Sequence, residues 1–322
     1  MLVLAGDIGG TNARLALVDH GEIVLERQYP SAQAAEVETI LETFLRAAGR
    51  QPERACLGVA GPVAQDVCRV TNLPWVVDGR AIERRLGVSR CRVVNDFYAA
   101  ALGVTALRPG QALPLGGDAL PVATAPIAVL GAGTGLGVAF LLHNGMHYEP
   151  VPTEGGHRDF GPLDDEQDRL AAFLRRKYGR ASYERVVSGP GIRDLYAFLA
   201  AEHPDQVLPT TRDAMAAEDA AAVVTRLGLQ EKDALCTRAV DIFVRVLGSE
   251  AGNLALQIVA RGGVYVAGGI APRMANRMAD GTFRREFDNK GRLAHVVKSI
   301  PAWLVQAPQL GLMGAAVAAQ RD

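Results

Sequence analysis

LVLAGDIGGTNARLALVD, at residues 2–19, reads as two apolar strands joined by a turn of glycine, threonine and asparagine. IAVLGAGTGLGVAFLLHNG, at residues 127–145, repeats that order of strand, glycine turn, strand and polar hairpin. Because the same unit occurs twice, about 125 residues apart, the sequence predicts two domains of related α/β fold.

The segments around these hairpins predict a mixed sheet with helical cover. Three strands, at 2–6, 13–19 and 22–28, come before an alternation of helix and strand, which favours an α/β class. Further strands are predicted at 55–60, 91–94 and 263–267, and helices between Ser31 and Gly49 and at 164–178, 191–202, 211–227, 231–261 and 310–320. The proline- and glycine-bearing run at 107–125 is predicted to cross between the two domains.

Composition excludes several classes of function. With 34 basic and 35 acidic residues, the net charge of −1 gives no electrostatic reason for a nucleic-acid or anionic-membrane partner. The four cysteines are widely spaced without a CxxC pair, which excludes a disulfide scaffold and favours a cytoplasmic protein. Residues 125–142 carry no charge, but their central glycines favour two strands over a membrane helix.

The glycine loops do not match the familiar cofactor signatures. There is no P-loop GxxxxGK[ST] sequence, and the glycines at 131–137 alternate and precede a strand rather than opening a dinucleotide-binding helix. The HRD and DFG triplets at 157–161 share Asp159, whereas a protein kinase needs two separate aspartates. His143 and His147 lack the glutamate of a zinc protease and straddle a hairpin turn, so we expect no metal there.

Both loops are suited to bind phosphate through backbone N–H groups, which needs no lysine. Asp7 adds a carboxylate that can hold Mg²⁺ directly or through water. Each loop taken alone is equally typical of an ordinary glycine-rich hairpin. The pair of loops, together with Asp7 and the Gly268-Gly269 step, favours a polyphosphate site.

A set of motifs in a fixed order resembles the bacterial glucokinase family. The motifs are AGDIGGTNARLAL at 5–17, VNDF at 94–97, GAGTGLG at 131–137, EGGH at 154–157 and AGGI at 267–270. TNLPW at 71–75 and SYERVVSGPG at 182–191 extend the resemblance over nearly the whole chain. The family belongs to the superfamily of sugar kinases, actin and heat-shock chaperones.

The resemblance implies two related α/β domains of actin-like (ribonuclease-H-like) ATPase fold, with the active site in the cleft between them. The domains are predicted at 1–106 and 107–301, with a C-terminal helix at 302–322 packing back on the first. It also implies a cytoplasmic homodimer that transfers the γ-phosphoryl group of ATP, with Mg²⁺, to the 6-hydroxyl of glucose at the entry to glycolysis. No nucleic-acid or membrane partner is expected.

The matched motifs also imply roles for individual residues, with Asp96 as the general base. The implied sugar-binding residues are Asn95, Asp96, Glu154, His157 and Glu184. The implied nucleotide-binding residues are Gly6, Asp7, Gly9, Gly10, Thr11, Asn12, Gly133, Thr134, Gly135, Gly268 and Gly269. Asp7 is implied to hold Mg²⁺, through water.

The sequence alone also allows purely structural roles for these residues and other functions for the protein. Asp96 precedes a helix and fits a helix N-cap, His157 fits a surface histidine, and Glu184 fits an ion pair with a neighbouring arginine. The related ROK group carries a cysteine-rich zinc loop after its histidine, but no cysteine follows His157 until Cys236, so no structural zinc is expected. The alternative functions are a kinase for another hexose and a nucleotide-binding sugar sensor.

Overall fold

The computed structural model describes residues 1–71 and 73–321 and separates into two compact units. The first unit comprises Met1–Pro109, Asn144–Pro152 and Ala307–Asp322, and the second comprises Gly110–His143 and Thr153–Gln306. This division places the hairpin segment 144–152 with the first unit, which the predicted limits of 1–106, 107–301 and 302–322 did not anticipate. Asn72, in the TNLPW motif, lies outside the described residues.

The first unit contains most of the N-terminal third of the chain and the last helix. Its strands are β1 (Leu2–Ile8), β2 (Asn12–Asp19), β3 (Glu22–Pro30), β4 (Arg54–Val59), β5 (Val63–Ala64), β6 (Val67–Arg69), β7 (Val76–Asp78) and β8 (Arg90–Asn95). Its helices are α1 (Val37–Ala48), α2 (Gly79–Leu86), α3 (Asp96–Gly103) and the C-terminal α12 (Leu310–Ala319). Two 3₁₀ turns lie at Ser31–Gln33 and Val104–Ala106.

The main sheet of the first unit has the order β3-β2-β1-β4-β8. The β1–β2 and β2–β3 pairs are antiparallel, whereas β1–β4 and β4–β8 are parallel. The strand side chains alternate between two apolar clusters: Leu4 and Leu57 share a cluster with α1, and Val3 and Cys56 share one with α3 and α12. Helices therefore cover both faces, and the carboxyl ends of three parallel strands lie at one edge.

α12 packs on α3 through glycine. A Cβ added to Gly314 would overlap the carbonyl oxygen of Ala99, and one added to Gly103 would overlap that of Leu310. The two helix backbones therefore approach more closely than any larger residue allows. Ala315 and Leu312 of α12 are buried beside Val3 in the same cluster, so this helix closes one face of the first sheet.

The second unit is larger and is built around one continuous core. Its strands are β9 (Ala112–Pro114), β10 (Ile127–Ala132), β11 (Leu136–His143), β13 (Gly263–Ala267) and β14 (Ala302–Val305), while β12 (Tyr148–Thr153) crosses the limit between the units. Its helices are α4 (Asp165–Tyr178), α5 (Gly189–Glu202), α6 (Pro209–Ala217), α7 (Ala220–Leu229), α8 (Ala234–Ile258), α9 (Ala275–Ala279), α10 (Thr282–Asp288) and α11 (Ala294–Lys298). The 25-residue helix α8 lies at its centre, with buried residues along nearly its whole length.

The second sheet repeats the topology of the first. The strands of the second unit are neighbours in the order β11-β10-β13-β14-β9. β10 pairs antiparallel with β11 and parallel with β13, as β1 pairs with β2 and β4. The repeated hairpin in the sequence thus corresponds to a repeated sheet, and the uncharged stretch 125–142 forms β10 and β11.

One expectation about local structure was wrong. The helix predicted at 211–227 is two helices, α6 and α7, because the Asp219 side chain accepts a hydrogen bond from the Ala222 N–H (2.7 Å) and starts a new helix. The predicted crossover at 107–125 contains the strand β9, which pairs antiparallel with β14.

No helix among the described residues combines the length and the apolar character needed to cross a bilayer. The longest, α8, carries charged residues that include Arg238, Asp241 and Arg245.

Replacing Gly314 by alanine tests the α3–α12 contact. Because the added methyl group would overlap a backbone oxygen that cannot move aside, we expect Gly314→Ala to lower the free energy of unfolding by about 1–3 kcal/mol. Gln320→Ala, at the exposed end of α12, should change it by less than about 0.5 kcal/mol. Chemical denaturation of both variants measures the difference, and equal midpoints would contradict the packing account.

Candidate active site

The first glycine loop is a fixed turn between β1 and β2. The Gly9 N–H donates to the Asn12 carbonyl (2.9 Å). Ser31, which is fully buried, donates its hydroxyl to the Gly9 carbonyl (2.8 Å) and its N–H to the Thr11 carbonyl (2.9 Å). The predicted residues Gly9, Gly10, Thr11 and Asn12 therefore lie together in one turn. Ser31 was not predicted, because it lies 22 positions from Gly9 in the sequence.

Gly6 and Asp7 lie in β1, below this turn. A Cβ at Gly6 would lie 2.5 Å from Leu57 Cδ2, so this glycine lets neighbouring strands pack. Asp7 pairs across the sheet with Arg14 on β2. Its carboxylate lies beside the start of α12, where a Cβ at Gly311 would be 3.2 Å from Asp7 Oδ2.

Asp7 and Asp96 lie at the carboxyl ends of parallel strands in the same sheet. Asp7 pairs with Gly58 on β4, and Gly58 pairs with Val94 on β8. A Cβ at Gly58 would lie 3.0 Å from the Ala99 Cβ and 3.6 Å from the Asp96 Cα, so glycine lets α3 begin directly beside β4. Burial raises the pKa of Asp7, and the Asp96 charge raises it further, while Arg14 lowers it.

Asp96 is the first helical residue of α3, and the preceding Asn95 is the N-cap. Asn95 Oδ1 accepts hydrogen bonds from the N–H groups of Phe97 (2.9 Å) and Tyr98 (3.2 Å), and its Nδ2 donates to the Gly61 carbonyl (3.1 Å). This arrangement decides against the N-cap role that the sequence left open for Asp96. Both ends of the Asn95 amide are engaged, which fixes the start of α3.

Burial raises the pKa of Asp96. Hydrogen bonds from the Phe97 N–H (2.8 Å) and the Asn95 side chain act in the opposite direction but do not cancel the effect. Within the described part of the chain, no basic side chain forms an ion pair with this carboxylate. A carboxylate that has a raised pKa and no basic ion-pair partner has the properties expected of a general base.

The second glycine loop connects β10 to β11 and is also held by backbone bonds. The Gly133 N–H donates to the Gly135 carbonyl (2.9 Å), and the Gly189 N–H at the start of α5 donates to the Gly133 carbonyl (2.8 Å). Gly268 lies against the end of β10, since a Cβ there would overlap the Ala132 carbonyl. The predicted residues Gly133, Thr134, Gly135, Gly268 and Gly269 are thus grouped around the end of one strand.

A pocket of about 360 Å³ opens beside this loop. Gly133 and Thr134 line it on one side, and the starts of α5 and α7 line it on the other. Its polar residues are Arg193, Asp219, Thr225 and Arg273. The sequence did not identify these residues, because they come from separate helices and carry no local motif, although the SGPG run at 188–191 marks the start of α5.

Three predicted sugar-binding residues lie close together in the second unit. His157 Nε2 is 3.9 Å from Glu154 Oε2, and His157 Nδ1 is 3.8 Å from Glu184 Oε1. Glu184 Oε2 accepts a hydrogen bond from the Leu136 N–H (3.0 Å), directly after the glycine loop. The Glu154 side chain is 92% exposed and that of Glu184 only 25%. Glu184 is therefore held by the loop, not by a neighbouring arginine.

Glycines also bring the EGGH segment onto β11. A Cβ at Gly156 would overlap the Leu136 carbonyl, and one at Gly155 would lie 3.0 Å from the Val138 Cβ. The close packing places Glu154 and His157 beside the second glycine loop. Asn95 and Asp96, the other two predicted sugar-binding residues, lie in the first unit.

Comparison with known proteins identifies the family. A family profile described as Glucokinase matches residues 4–322. The glucokinase of Nostoc punctiforme is 37% identical over 339 aligned residues, which cover 99% of both chains. The glucokinase of Photorhabdus laumondii is 39% identical over 316 residues, covering 97% of this chain and 94% of the relative. The chain belongs to the glucokinase family.

A crystal structure of a glucokinase from an Antarctic psychrotroph superposes with a TM-score of 0.88 at 31% identity, covering 100% of this chain and 99% of the other. These matches confirm the predicted family, the α/β fold class and the assignment as an ATP-dependent glucokinase. They do not favour another hexose kinase or a sugar sensor. The roles of individual residues stay predictions.

The raised pKa of Asp96 predicts a stability effect with a definite sign. A buried carboxylate with a raised pKa stabilises the fold when protonated, and that stability is lost as the pH rises through the folded-state pKa. We therefore expect Asp96→Asn to be more stable than the unmodified protein at pH 7, and this difference to shrink at acid pH. Thermal unfolding across the pH range measures it.

Asp164→Asn provides a control of opposite sign. Burial alone would raise the pKa of Asp164, but hydrogen bonds from the Gln167 N–H and from Arg245 lower it overall. Its charged form therefore stabilises the fold, and Asp164→Asn should lose stability at pH 7. A loss of stability in Asp96→Asn at pH 7 would contradict our account of the site.

Proposed function

We propose that this chain transfers the γ-phosphoryl group of ATP to the 6-hydroxyl of glucose, with Asp96 as the general base. The observation that carries the proposal is the Asp96 carboxylate at the end of β8. It is largely buried, its pKa is raised, and no ion pair within the described residues neutralises it. Such a group can accept a proton in a phosphoryl transfer.

The proposed step is an in-line displacement at the γ-phosphorus of ATP. Asp96 accepts the proton of the 6-hydroxyl as that oxygen forms a bond to the γ-phosphorus, and the bond from the γ-phosphorus to the β-phosphate oxygen breaks. Glucose 6-phosphate and ADP are the products. Because the transition state of phosphoryl transfer is loose, positioning and charge stabilisation supply most of the catalysis, and the base orients the attacking oxygen.

Glucose is proposed to be bound by Asn95, Asp96, Glu154, His157 and Glu184. Carboxylates accept hydrogen bonds from sugar hydroxyl groups, and the histidine can donate one. The proximity of His157 to both Glu154 and Glu184 supports this assignment for the second unit.

ATP is proposed to bind the two glycine loops and the neighbouring pocket. The turns at Gly9–Asn12 and Gly133–Gly135 offer backbone N–H groups to phosphate oxygens. The pocket beside Thr134 has the volume for a nucleoside. Gly268 and Gly269, which adjoin the same strand end, are proposed to lie near the adenosine.

Mg²⁺ fits the residues present at the end of β1. Asp7 offers oxygen ligands, and burial, together with the nearby Asp96 charge, raises its pKa, so a cation there would stabilise the charged carboxylate. In residues 1–71 and 73–321, no group of three or more acidic, cysteine or histidine side chains could hold a metal ion by itself. Mg²⁺ does not need such a group, because it typically binds one or two carboxylates together with substrate phosphates and water. When bound, the ion neutralises charge on the transferring phosphates.

The remaining parts of the proposal rest on the composition of the sequence and on the resemblance to the family. They are a homodimer in the cytoplasm, with no nucleic-acid or membrane partner and no structural zinc.

Replacing the proposed base should separate catalysis from binding. Asp96→Asn keeps the size and one accepting oxygen but removes the basicity, so we expect turnover to fall by roughly 10²-fold to 10⁴-fold. Glucose affinity, measured by calorimetry, should change far less. Asp118→Asn, at an exposed aspartate of the second unit, is the control. A variant that keeps more than about a tenth of the turnover would exclude Asp96 as the base.

Replacing Asp7 should give a different pattern. If Asp7 holds Mg²⁺, Asp7→Asn weakens metal binding, and higher Mg²⁺ concentrations should recover part of the lost turnover. Asp96→Asn should show no such recovery. Coupled assays of ADP release across a Mg²⁺ titration compare the two variants, and identical Mg²⁺ dependence of Asp7→Asn and the unmodified enzyme would remove Asp7 from the metal site.

A further inference from the structure

A buried carboxylate in the second unit is not used by the proposed reaction. Glu250 lies on α8 and is 0% exposed. Its Oε1 accepts a hydrogen bond from Arg158 Nη2, and its Oε2 accepts one from Asn253 Nδ2 (3.3 Å). Burial raises the pKa of Glu250, and the Arg158 charge opposes that effect. Burying a charge costs free energy that only well-placed partners offset, so the loss of either partner would leave Glu250 uncompensated.

Arg158 connects Glu250 to the EGGH segment. It directly follows His157, and its Nε donates to the Gly155 carbonyl (3.2 Å). Its Nη1 donates to Gln257 Oε1 (3.1 Å), so a second residue near the end of α8 also holds it. The guanidinium group therefore fixes the turn that carries Glu154 and His157 against the central helix.

Asn253 connects the same helix to the segment that carries Glu184. Its Nδ2 donates to the hydroxyl of Tyr183 (3.0 Å), the residue immediately before Glu184. The Tyr183 N–H donates to the Arg158 carbonyl (3.0 Å), which ties the two segments together. The Arg158 guanidinium also lies over the Tyr183 ring, 6.0 Å from its centroid.

We propose that Glu250 is a positioning residue for the sugar site. Through Arg158 and Asn253 it sets the relative positions of two segments, one with Glu154 and His157 and the other with Glu184. The inference rests on the proposed function, because it assumes that these three side chains bind glucose. It extends that function to residues that touch no substrate.

Two variants test the inference. In the Glu250→Gln variant the amide oxygen can still accept a hydrogen bond from Arg158. The amide nitrogen then faces the donating nitrogen of Asn253, so that hydrogen bond is lost. The double variant Glu250→Leu/Arg158→Met replaces the ion pair with apolar side chains of similar size, an exchange that often keeps or improves stability. The double variant therefore keeps the test valid where Glu250→Gln fails to fold.

The control breaks a similar pair elsewhere on the same helix. Glu286 is 7% exposed, and its carboxylate accepts a hydrogen bond from Nε of Arg245 on α8 (3.0 Å). Arg245 also forms an ion pair with Asp164. Glu286→Gln removes a buried charge next to α8 without touching either sugar segment. It should change the melting temperature and leave glucose affinity unchanged.

Glucose affinity is measured by calorimetry without nucleotide, and KM for glucose and for ATP by the coupled assay. We expect both Glu250 variants to weaken glucose binding about tenfold to a hundredfold, the effect of misaligning one hydrogen bond between the sugar and a charged group. KM for ATP should stay within about twofold, and the double variant should show the glucose defect at a retained melting temperature.

Folded Glu250 variants that bind glucose as tightly as the unmodified protein would overturn the inference and leave the proposed function intact. An equal glucose defect in Glu286→Gln would also overturn it, because the effect would then follow from lost stability. Failure of the unmodified protein to bind or phosphorylate glucose would contradict the proposed function and, with it, this inference.

Discussion

The burial of two carboxylates, Asp7 and Asp96, at one edge of the first sheet is the constraint on which the site residues of the first unit depend. Burial raises the pKa of both, and the charge of Asp96 raises that of Asp7 further. They are brought to one sheet edge because β1, β4 and β8 are parallel and Gly58 leaves room between them. Asn95 then fixes the start of α3. The surrounding apolar core has to offset this unfavourable arrangement, which makes a cation or a proton the natural partner of the site.

The second unit shows that burial alone does not mark a reacting group. Glu250 is more deeply buried than Asp96, yet Arg158 and Asn253 engage its two oxygens. Removing one partner of such a pair leaves a buried charge without compensation, so the pair acts on the positions of the segments it joins. Asp96 accepts hydrogen bonds from the Phe97 N–H and the Asn95 side chain, but no basic side chain in the described chain pairs with it. The two carboxylates therefore differ in whether a basic side chain offsets their negative charge.

Sequence reasoning succeeded where the signal is local. The two glycine hairpins, the repeated topology and the position of Asp96 at a strand-to-helix junction could all be predicted from short stretches. It failed where the partner is distant. Ser31 under the first loop, the β9–β14 pairing and the Glu250–Arg158 pair, 92 positions apart, leave no periodic pattern. The break between α6 and α7 was missed because the apolar spacing continues past the capping Asp219.

One loop of the second unit contacts residues that are proposed to bind both substrates. A Cβ at Gly135 would lie 2.5 Å from Glu184 Oε2, and the next N–H along the chain, that of Leu136, donates to the same oxygen. Gly135, which belongs to the proposed phosphate-binding loop, is therefore also the glycine that lets the Glu184 carboxylate approach. Since Ser188 donates its hydroxyl to the Glu184 carbonyl (2.6 Å) while capping α5, the helix beside the pocket is tied to the same segment. Any shift of this loop therefore moves the proposed sugar ligand Glu184 together with the proposed phosphate-binding backbone, and the close approach of Glu184 gives a physical reason for glycine at position 135.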